Sequence, residues 1–167
     1  MPRNFKNQLA GQIGESLVVA ELGRLGIVAT SFSGNVPDID LLAYRDGRSI
    51  HLQVKAVRSG SVSFDAQRFM KITFDGDHQS IQGPLLDFDA QLIYVFVGIS
   101  EQAGNDRFFI LDQAQLQKII QTNHQTWLNK HGGVRPKNPQ STHTAVSLSQ
   151  LAEFENNWQK IEEALTF

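Results

Sequence analysis

Four polar residues in the first third of the chain have types and spacings suited to chemistry on a charged ligand. Asp38 and Asp40 precede the apolar run Leu41-Leu42-Ala43, and Gln53 and Lys55 alternate with apolar neighbours. Side chains two residues apart on a strand lie on the same face, so the members of each pair are expected to face one way. A lysine in an otherwise apolar strand requires a carboxylate or a phosphate as partner, because burying an unpaired ammonium is costly.

A fifth candidate, Glu15, lies in a predicted helix over residues 4–25. At about 100° per residue it shares a helix face with Gly11, Val18 and Leu22. A glycine inside a helix costs about 1 kcal/mol relative to alanine, so we expect this face to approach a sheet or a ligand closely. Ordinary alternatives stay open for each feature: a partly exposed helical glutamate, an acidic turn ahead of a strand, and an edge strand with one wet face.

The alternation of apolar, polar and turn residues predicts a single α/β domain over residues 1–167. The opening helix should end at Gly26 and carry an apolar stripe of Phe5, Leu9, Ile13 and Leu17. Strands are predicted at 27–32, 39–44, 49–57, 62–64, 69–74, 91–99 and 107–111, with a turn at 33–37, a hairpin turn at 46–47 and loops at 76–84. The strand at 91–99 is almost wholly apolar, which indicates a buried central position.

Two more helices are predicted in the last third of the chain. Asp112 is the expected cap of a helix that ends near Lys130. Residues 131–144 read as a long polar loop. Ser147 and Gln150 then fit a capping box for a final helix that ends near residue 165.

Composition excludes several other chemistries. The chain has 167 residues, of which 41% are hydrophobic and 19% charged, as is usual for one globular domain. It has no cysteine, which excludes disulfides and thiolate sites and suits a reducing cytoplasm. Its five histidines lack the spacing of zinc motifs, and it has no phosphate-binding glycine loop and no nucleophile elbow. No apolar run approaches the ~20 residues of a membrane span.

The order of a helical glutamate, a strand-opening aspartate, a hairpin and a strand bearing lysine resembles the PD-(D/E)xK nuclease superfamily. That superfamily includes type II restriction enzymes, archaeal Holliday junction resolvases and Mrr-like enzymes. The resemblance covers residues 11–57, and later segments look like a group of uncharacterised bacterial proteins with the same core. It implies an α/β restriction endonuclease-like fold, in which a central mixed sheet is flanked by helices in α-β-β-β-α-β order, with C-terminal helices. It also implies a nuclease that uses Mg²⁺, with Mn²⁺ as an alternative, to hydrolyse DNA.

The resemblance assigns the catalytic site to Glu15, Asp40, Gln53 and Lys55. Asp40, Gln53 and Glu15 would hold the metal, with Asp38 as a further candidate, and Lys55 would orient water and stabilise transition-state charge. Gln53 departs from the family pattern, which has Asp or Glu there, and an amide is a weaker ligand for a hard cation. The competing interpretation is therefore a nuclease-fold protein that binds nucleic acid or a protein partner without cutting it.

The remaining predictions concern partners. Lys130, His131, Arg135 and Lys137 lie in the late loop, which we expect to border the same cleft and contact DNA phosphates, as does Arg58 after the third strand. A net charge of -2 is unusual for a nucleic-acid binder, so the positive charge must be local. We expect DNA as the partner, no membrane association and a cytoplasmic location, and the sequence is compatible with a homodimer.

Overall fold

The computed structural model of the protein describes residues 3–32, 37–87, 89 and 91–166, with side chains from residue 5 onward. Residues 33–36 of the predicted turn at 33–37 lie outside these residues. The helices and strands are α1 (Arg3–Arg24), β1 (Val28–Ser31), β2 (Leu41–Arg45), β3 (Arg48–Val57), β4 (Ser61–Asp65), β5 (Met70–Asp75), β6 (His78–Pro84), β7 (Leu92–Gly98), β8 (Arg107–Asp112), α2 (Gln113–Lys130), β9 (His143–Ser147) and α3 (Gln159–Ala164). Two 3₁₀ helices cover Ala66–Arg68 and Leu148–Phe154.

A five-stranded mixed sheet forms the centre of the fold, in the order β1-β2-β3-β7-β8. Only the β3–β7 pair is parallel, and the other neighbours are antiparallel. One hydrophobic core joins α1 to one face of the sheet, and a second joins α2 to the opposite face. The predicted α/β class, with a central mixed sheet flanked by helices, is therefore confirmed. No helix in the described ranges is both long and apolar enough to cross a membrane.

The predicted hairpin between β2 and β3 is present. Asp46 and Gly47 both have positive φ, at 52° and 83°, as a two-residue turn of this kind requires. The register pairs Leu41 with Leu52 and Arg45 with Arg48, so the hairpin fixes which residues of β3 lie beside the start of β2. This register brings the first residues of β2 next to Gln53.

The connection from β3 to β7 differs from the α-β-β-β-α-β order. Two parallel neighbours need a crossover, which is usually helical. Here the described residues of the crossover form β4, a 3₁₀ helix and the β5–β6 hairpin, and α2 follows β8. β6 and β9 fall where loops were predicted. β9 pairs with β4, from Ser61 opposite Ser147 to Asp65 opposite His143. A partner so distant in sequence leaves no local signal.

The predicted last helix is instead two short helices. The side chain of Gln150 accepts a hydrogen bond from the Ser147 N–H at 3.1 Å, as expected for the cap, but a 3₁₀ helix follows it. Glu155 then forms a β-bridge with Phe109, and Asn156 adopts a φ of 54°. Pairing with β8 thus ends the first helical segment before α3 begins.

The buried face of α1 is rotated by one residue from the predicted stripe. Ala10, Gly14, Val18 and Leu22 are buried, whereas Phe5 is 49% exposed. The reason is the close approach of α1 to β3. A Cβ added to Gly14 would lie 2.4 Å from the Cβ of Ala56, so only glycine fits at this contact. The close approach expected for the glycine-bearing face of α1 thus occurs at Gly14, whereas a Cβ added to Gly11, the glycine predicted to share a face with Glu15, would meet no atom within 4 Å.

Candidate active site

Asp40 lies directly before β2 and contacts β3 through both its backbone and its side chain. Its N–H donates to the Leu52 carbonyl at 2.9 Å, and its Oδ2 accepts from the Val54 N–H at 2.7 Å. Odd-numbered residues of β3 bond to β7, as when the His51 N–H donates to the Gln91 carbonyl at 3.2 Å. Even-numbered residues therefore direct both backbone groups towards β2. The carboxylate of Asp40 and the carbonyl of Val54 thus lie at the same edge of β3.

Glu15 brings a second carboxylate towards this edge from α1. Burial raises the pKa of the Glu15 carboxyl, and the charge of Asp40 raises it further. The charge of Asp40 thus acts on Glu15, and a proton or a bound cation would lessen this repulsion.

Gln53 and Lys55 flank Val54 and face a cavity of about 460 Å³ on the side of the sheet opposite α1. Gln53 is only 8% exposed, and Lys55 is partly buried. Within the described part of the chain, no carboxylate lies within 4.0 Å of the Lys55 ammonium. Lys55 therefore presents its charge to the cavity and not to a structural partner.

Asp38 also lines this cavity, but its side chain and that of Asp40 have different partners. Residues 37–40 are not part of a strand, and Asp38 has a φ of 66°, so the expectation of two aspartates on one strand face is wrong. Asp38 forms an ion pair with Arg68 of the 3₁₀ helix. Burial and the charge of Asp38 raise the pKa of the neighbouring Tyr94 to about 12, although Arg68 opposes the shift.

Several cavity residues were not identified from the sequence. Arg68 lies in the crossover and Tyr94 lies in β7. No sequence pattern indicated that either residue would share a cavity with Lys55. His51 does not itself line the cavity but contacts Asp89, which does, and its position two residues before Gln53 placed it on the same strand face. His51 Nδ1 lies 2.6 Å from Asp89 Oδ2. Burial acts to raise the pKa of Asp89, but the hydrogen bonds from His51 and a backbone N–H hold it below its ordinary value.

The late loop lines a different cavity from the one that was predicted. His131 stacks on Trp127 at 3.9 Å, and the Arg135 guanidinium lies 4.3 Å from the centre of the same indole. Arg135 also donates to the His143 carbonyl. Together with Lys137 these groups line a cavity of about 360 Å³ that shares no lining residue with the cavity at Lys55. The phosphate contacts predicted for this loop stay a prediction.

The remaining predicted residues are exposed. Lys130 ends α2, and Arg58 follows β3, where it lines a groove separate from the late loop. In the ranges that the structure covers, no three or more histidine and acidic side chains converge as a metal cluster. A cation site with fewer than three such side chains would be completed by amide or main-chain oxygens and by water.

Comparison with known proteins does not assign the chain to a family. No protein-family model matches it, and no curated protein does. Among solved structures, the bacterial homing endonuclease I-Ssp6803I aligns at 13% identity with a TM-score of 0.49, over 92% of this chain and 91% of that chain. This likeness is too distant to assign a family or an activity. The site of this mixed α/β protein has two parts: Asp40 and Glu15 lie near the β2 edge of β3, whereas Gln53 and Lys55 face the cavity on the side of the sheet opposite α1.

Proposed function

We propose that the protein is a metal-dependent nuclease that hydrolyses DNA phosphodiester bonds, as an endonuclease or a structure-specific nuclease, and that its core is of the PD-(D/E)xK type. The observation that carries the proposal is the 2.7 Å hydrogen bond between the Val54 N–H and Asp40. It fixes a carboxylate beside the strand segment that bears Gln53 and Lys55. Glu15, on α1, adds the second acid expected of such a site.

The residues present fit Mg²⁺, which prefers oxygen ligands and keeps several waters. Asp40 uses one oxygen for Val54, so its other oxygen is the natural ligand. The Val54 carbonyl, the Gln53 side-chain oxygen and Glu15 complete the protein share. Burial and, to a smaller extent, repulsion by Asp40 raise the pKa of Glu15, and a cation would relieve that repulsion. Mn²⁺ takes the same kind of ligands.

In the proposed reaction, bound Mg²⁺ would lower the pKa of a water and polarise the phosphate. Lys55, unpaired by carboxylates in the described part of the chain, orients the attacking water and offsets the negative charge that develops on the phosphate. Asp40 is held in place by the Val54 N–H and needs no reorganisation during the reaction. Gln53 is nearly buried, and this burial restricts the orientation of its amide oxygen.

A second candidate function is binding of nucleic acid or a protein partner without cleavage. It is favoured by Gln53, which replaces a carboxylate with a neutral amide. The cavity also has four acids, Asp38, Asp65, Asp87 and Asp89, against the cations Lys55 and Arg68. An acidic cavity without a bound cation repels a phosphate, so within this second candidate the four acids favour a protein partner over nucleic acid in the cavity.

Plasmid nicking with Mg²⁺ and with Mn²⁺ separates the two functions. Lys55→Ala should lower the nicking rate at least about a hundredfold, since loss of one transition-state charge partner has effects of that size. Asp40→Ala should lose nicking together with metal binding. Lys71→Ala and Asp75→Ala remove the same charges from exposed positions on β5 and should leave the rate unchanged.

Two outcomes would overturn the nuclease assignment. Nicking that persists undiminished in Lys55→Ala would indicate a contaminating nuclease. Absence of cleavage by the unmodified protein on linear, nicked, branched and single-stranded DNA, with either metal, would favour binding without cleavage.

A further inference from the structure

A second groove, of about 520 Å³, lies between the start of α1 and the turn that joins β3 to β4. We call it the Lys6–Arg58 groove. Its polar lining consists of Lys6, Asn7, Arg58, Ser59, Ser61 and Ser63. The two cations and most of the hydroxyl-bearing residues are exposed. The groove therefore presents charge and hydrogen-bond donors to solvent.

The charge of this groove is opposite to that of the active-site cavity. Its lining includes no acidic residue. Within the described ranges, neither Lys6 nor Arg58 forms an ion pair within 4.0 Å. Lysine, arginine, serine and asparagine are the side chains that contact DNA phosphates. The groove thus provides a local positive charge for DNA phosphates, although the protein as a whole has a net negative charge.

The groove adjoins the candidate active site through one shared residue, since Ser63 lines both the groove and the cavity that contains Lys55. β3 ends at Val57, and Arg58 follows Lys55 by three residues, which in an extended chain span at most about 10 Å. Phosphates on one strand of a DNA duplex are ~3.4 Å apart along the helix axis and farther apart through space, so this span reaches a phosphate close to the cleaved bond.

We propose that the Lys6–Arg58 groove binds the phosphate backbone of the DNA strand on one side of the cleaved bond. The inference rests on the proposed function, because it takes Lys55 as the position of that bond. Lys6 and Arg58 pair with phosphates, and the serine hydroxyls and the Asn7 amide donate hydrogen bonds to them. These contacts give affinity and orientation without reading sequence.

Three double variants, each lacking two positive charges, test the groove. They are Lys6→Ala with Arg58→Ala in the groove, Lys130→Ala with Lys137→Ala in the late loop, and Arg48→Ala with Lys71→Ala as the exposed control. All are made in the Lys55→Ala background so that DNA stays intact in Mg²⁺. The measured quantity is the Kd for 30-base-pair duplexes of two unrelated sequences, between 50 and 200 mM salt.

The groove variant should weaken binding equally for both sequences. Loss of two phosphate contacts makes the negative slope of log K against log salt shallower by about 1.8. The ratio of the Kd of the groove variant to that of the parent should therefore fall about twelvefold between 50 and 200 mM salt. The control variant should show less than half that change in slope. Ser59→Glu, which adds a negative charge to the groove, should also weaken binding, unlike Ser80→Glu on β6.

Distinct results separate this inference from the proposed function. A groove variant with the Kd and salt slope of the control would overturn the inference, while the nicking experiment would still decide catalysis. A loss confined to the Lys130 and Lys137 variant would assign the backbone contact to the late loop instead. If the Lys55→Ala parent binds no duplex at 50 mM salt, the groove assignment fails. Thermal unfolding within about 2 °C of the parent confirms that each variant is folded.

Discussion

Replacement of Gly14 by alanine tests whether the contact between α1 and β3 determines both stability and the position of Glu15. The added Cβ would lie 2.4 Å from the Cβ of Ala56 and 3.4 Å from a methyl of Val54. Carbon atoms pack at about 3.5–4.0 Å, so α1 would have to move away by about 1 Å. The Cβ of Ala56 is bonded directly to the backbone of β3, so it cannot rotate out of the way as a longer side chain could.

Two opposing effects determine the size of the change. Overpacking of a core costs about 1–3 kcal/mol, whereas alanine in place of a helical glycine gains about 1 kcal/mol. We therefore expect Gly14→Ala to lower the free energy of unfolding by up to about 2 kcal/mol. In a chain of this size that corresponds to a fall in Tm of up to roughly 8 °C.

Gly11 provides the matched control. It lies on the same helix, and a Cβ added there would have no atom within 4 Å. Gly11→Ala should therefore raise the free energy of unfolding by about 1 kcal/mol through helix propensity alone. In the double variant Gly14→Ala with Ala56→Gly, the methyl of residue 14 occupies the space vacated by the Ala56 methyl. The loss in free energy of unfolding should therefore be smaller than the sum of the losses in the two single variants.

Urea unfolding and plasmid nicking measure the two consequences. A shift of about 1 Å in α1 displaces Glu15 relative to Asp40, and a misplacement of that size lowers rates by about a hundredfold. Folded Gly14→Ala should thus nick much more slowly, whereas Gly11→Ala should nick normally. A rise in the urea midpoint of Gly14→Ala equal to that of Gly11→Ala would refute the close contact on which this reasoning depends.

Two further changes test the electrostatics. Gln53→Glu should tighten Mg²⁺ binding measured by calorimetry, and the nicking rate should stay the same or rise. Without metal, repulsion of the new carboxylate by Glu15 and Asp40 should lower the free energy of unfolding by at least about 1 kcal/mol. Added Mg²⁺ should reverse this loss of stability. An unchanged Mg²⁺ affinity would exclude Gln53 as a ligand. Burial, and then the charge of Arg135, lower the pKa of His124 to about 4 from 6.5. The unfolded state therefore binds more protons between pH 6.5 and 4, and stability is lost as the pH falls through that window, by about 2 kcal/mol at pH 5. His124→Gln should reduce the difference between the urea midpoints at pH 7 and 5, and an identical difference would contradict the buried neutral imidazole.

The sequence alone determined the features that depend on neighbouring residues. Asp46-Gly47 specified a tight turn because both residues accept positive φ, and the apolar run in β7 specified a buried strand. Asp112 specified the start of α2, and the structure adds Gln115 as the second residue of its capping box. Period-2 alternation likewise predicted that Gln53 and Lys55 face one side, as they do in the cavity.

Tertiary structure decided the features that depend on contacts distant in sequence. Asp38 and Asp40 are two residues apart, yet one pairs with Arg68 and the other with the Val54 N–H. No local pattern could separate them, because the partners come from a 3₁₀ helix and from β3. The same holds for the pairing of β4 with β9 and for the packing of Arg135 on Trp127. Short-range preferences select helices, strands and turns, whereas the burial and charge of a side chain depend on residues that only the folded chain brings together.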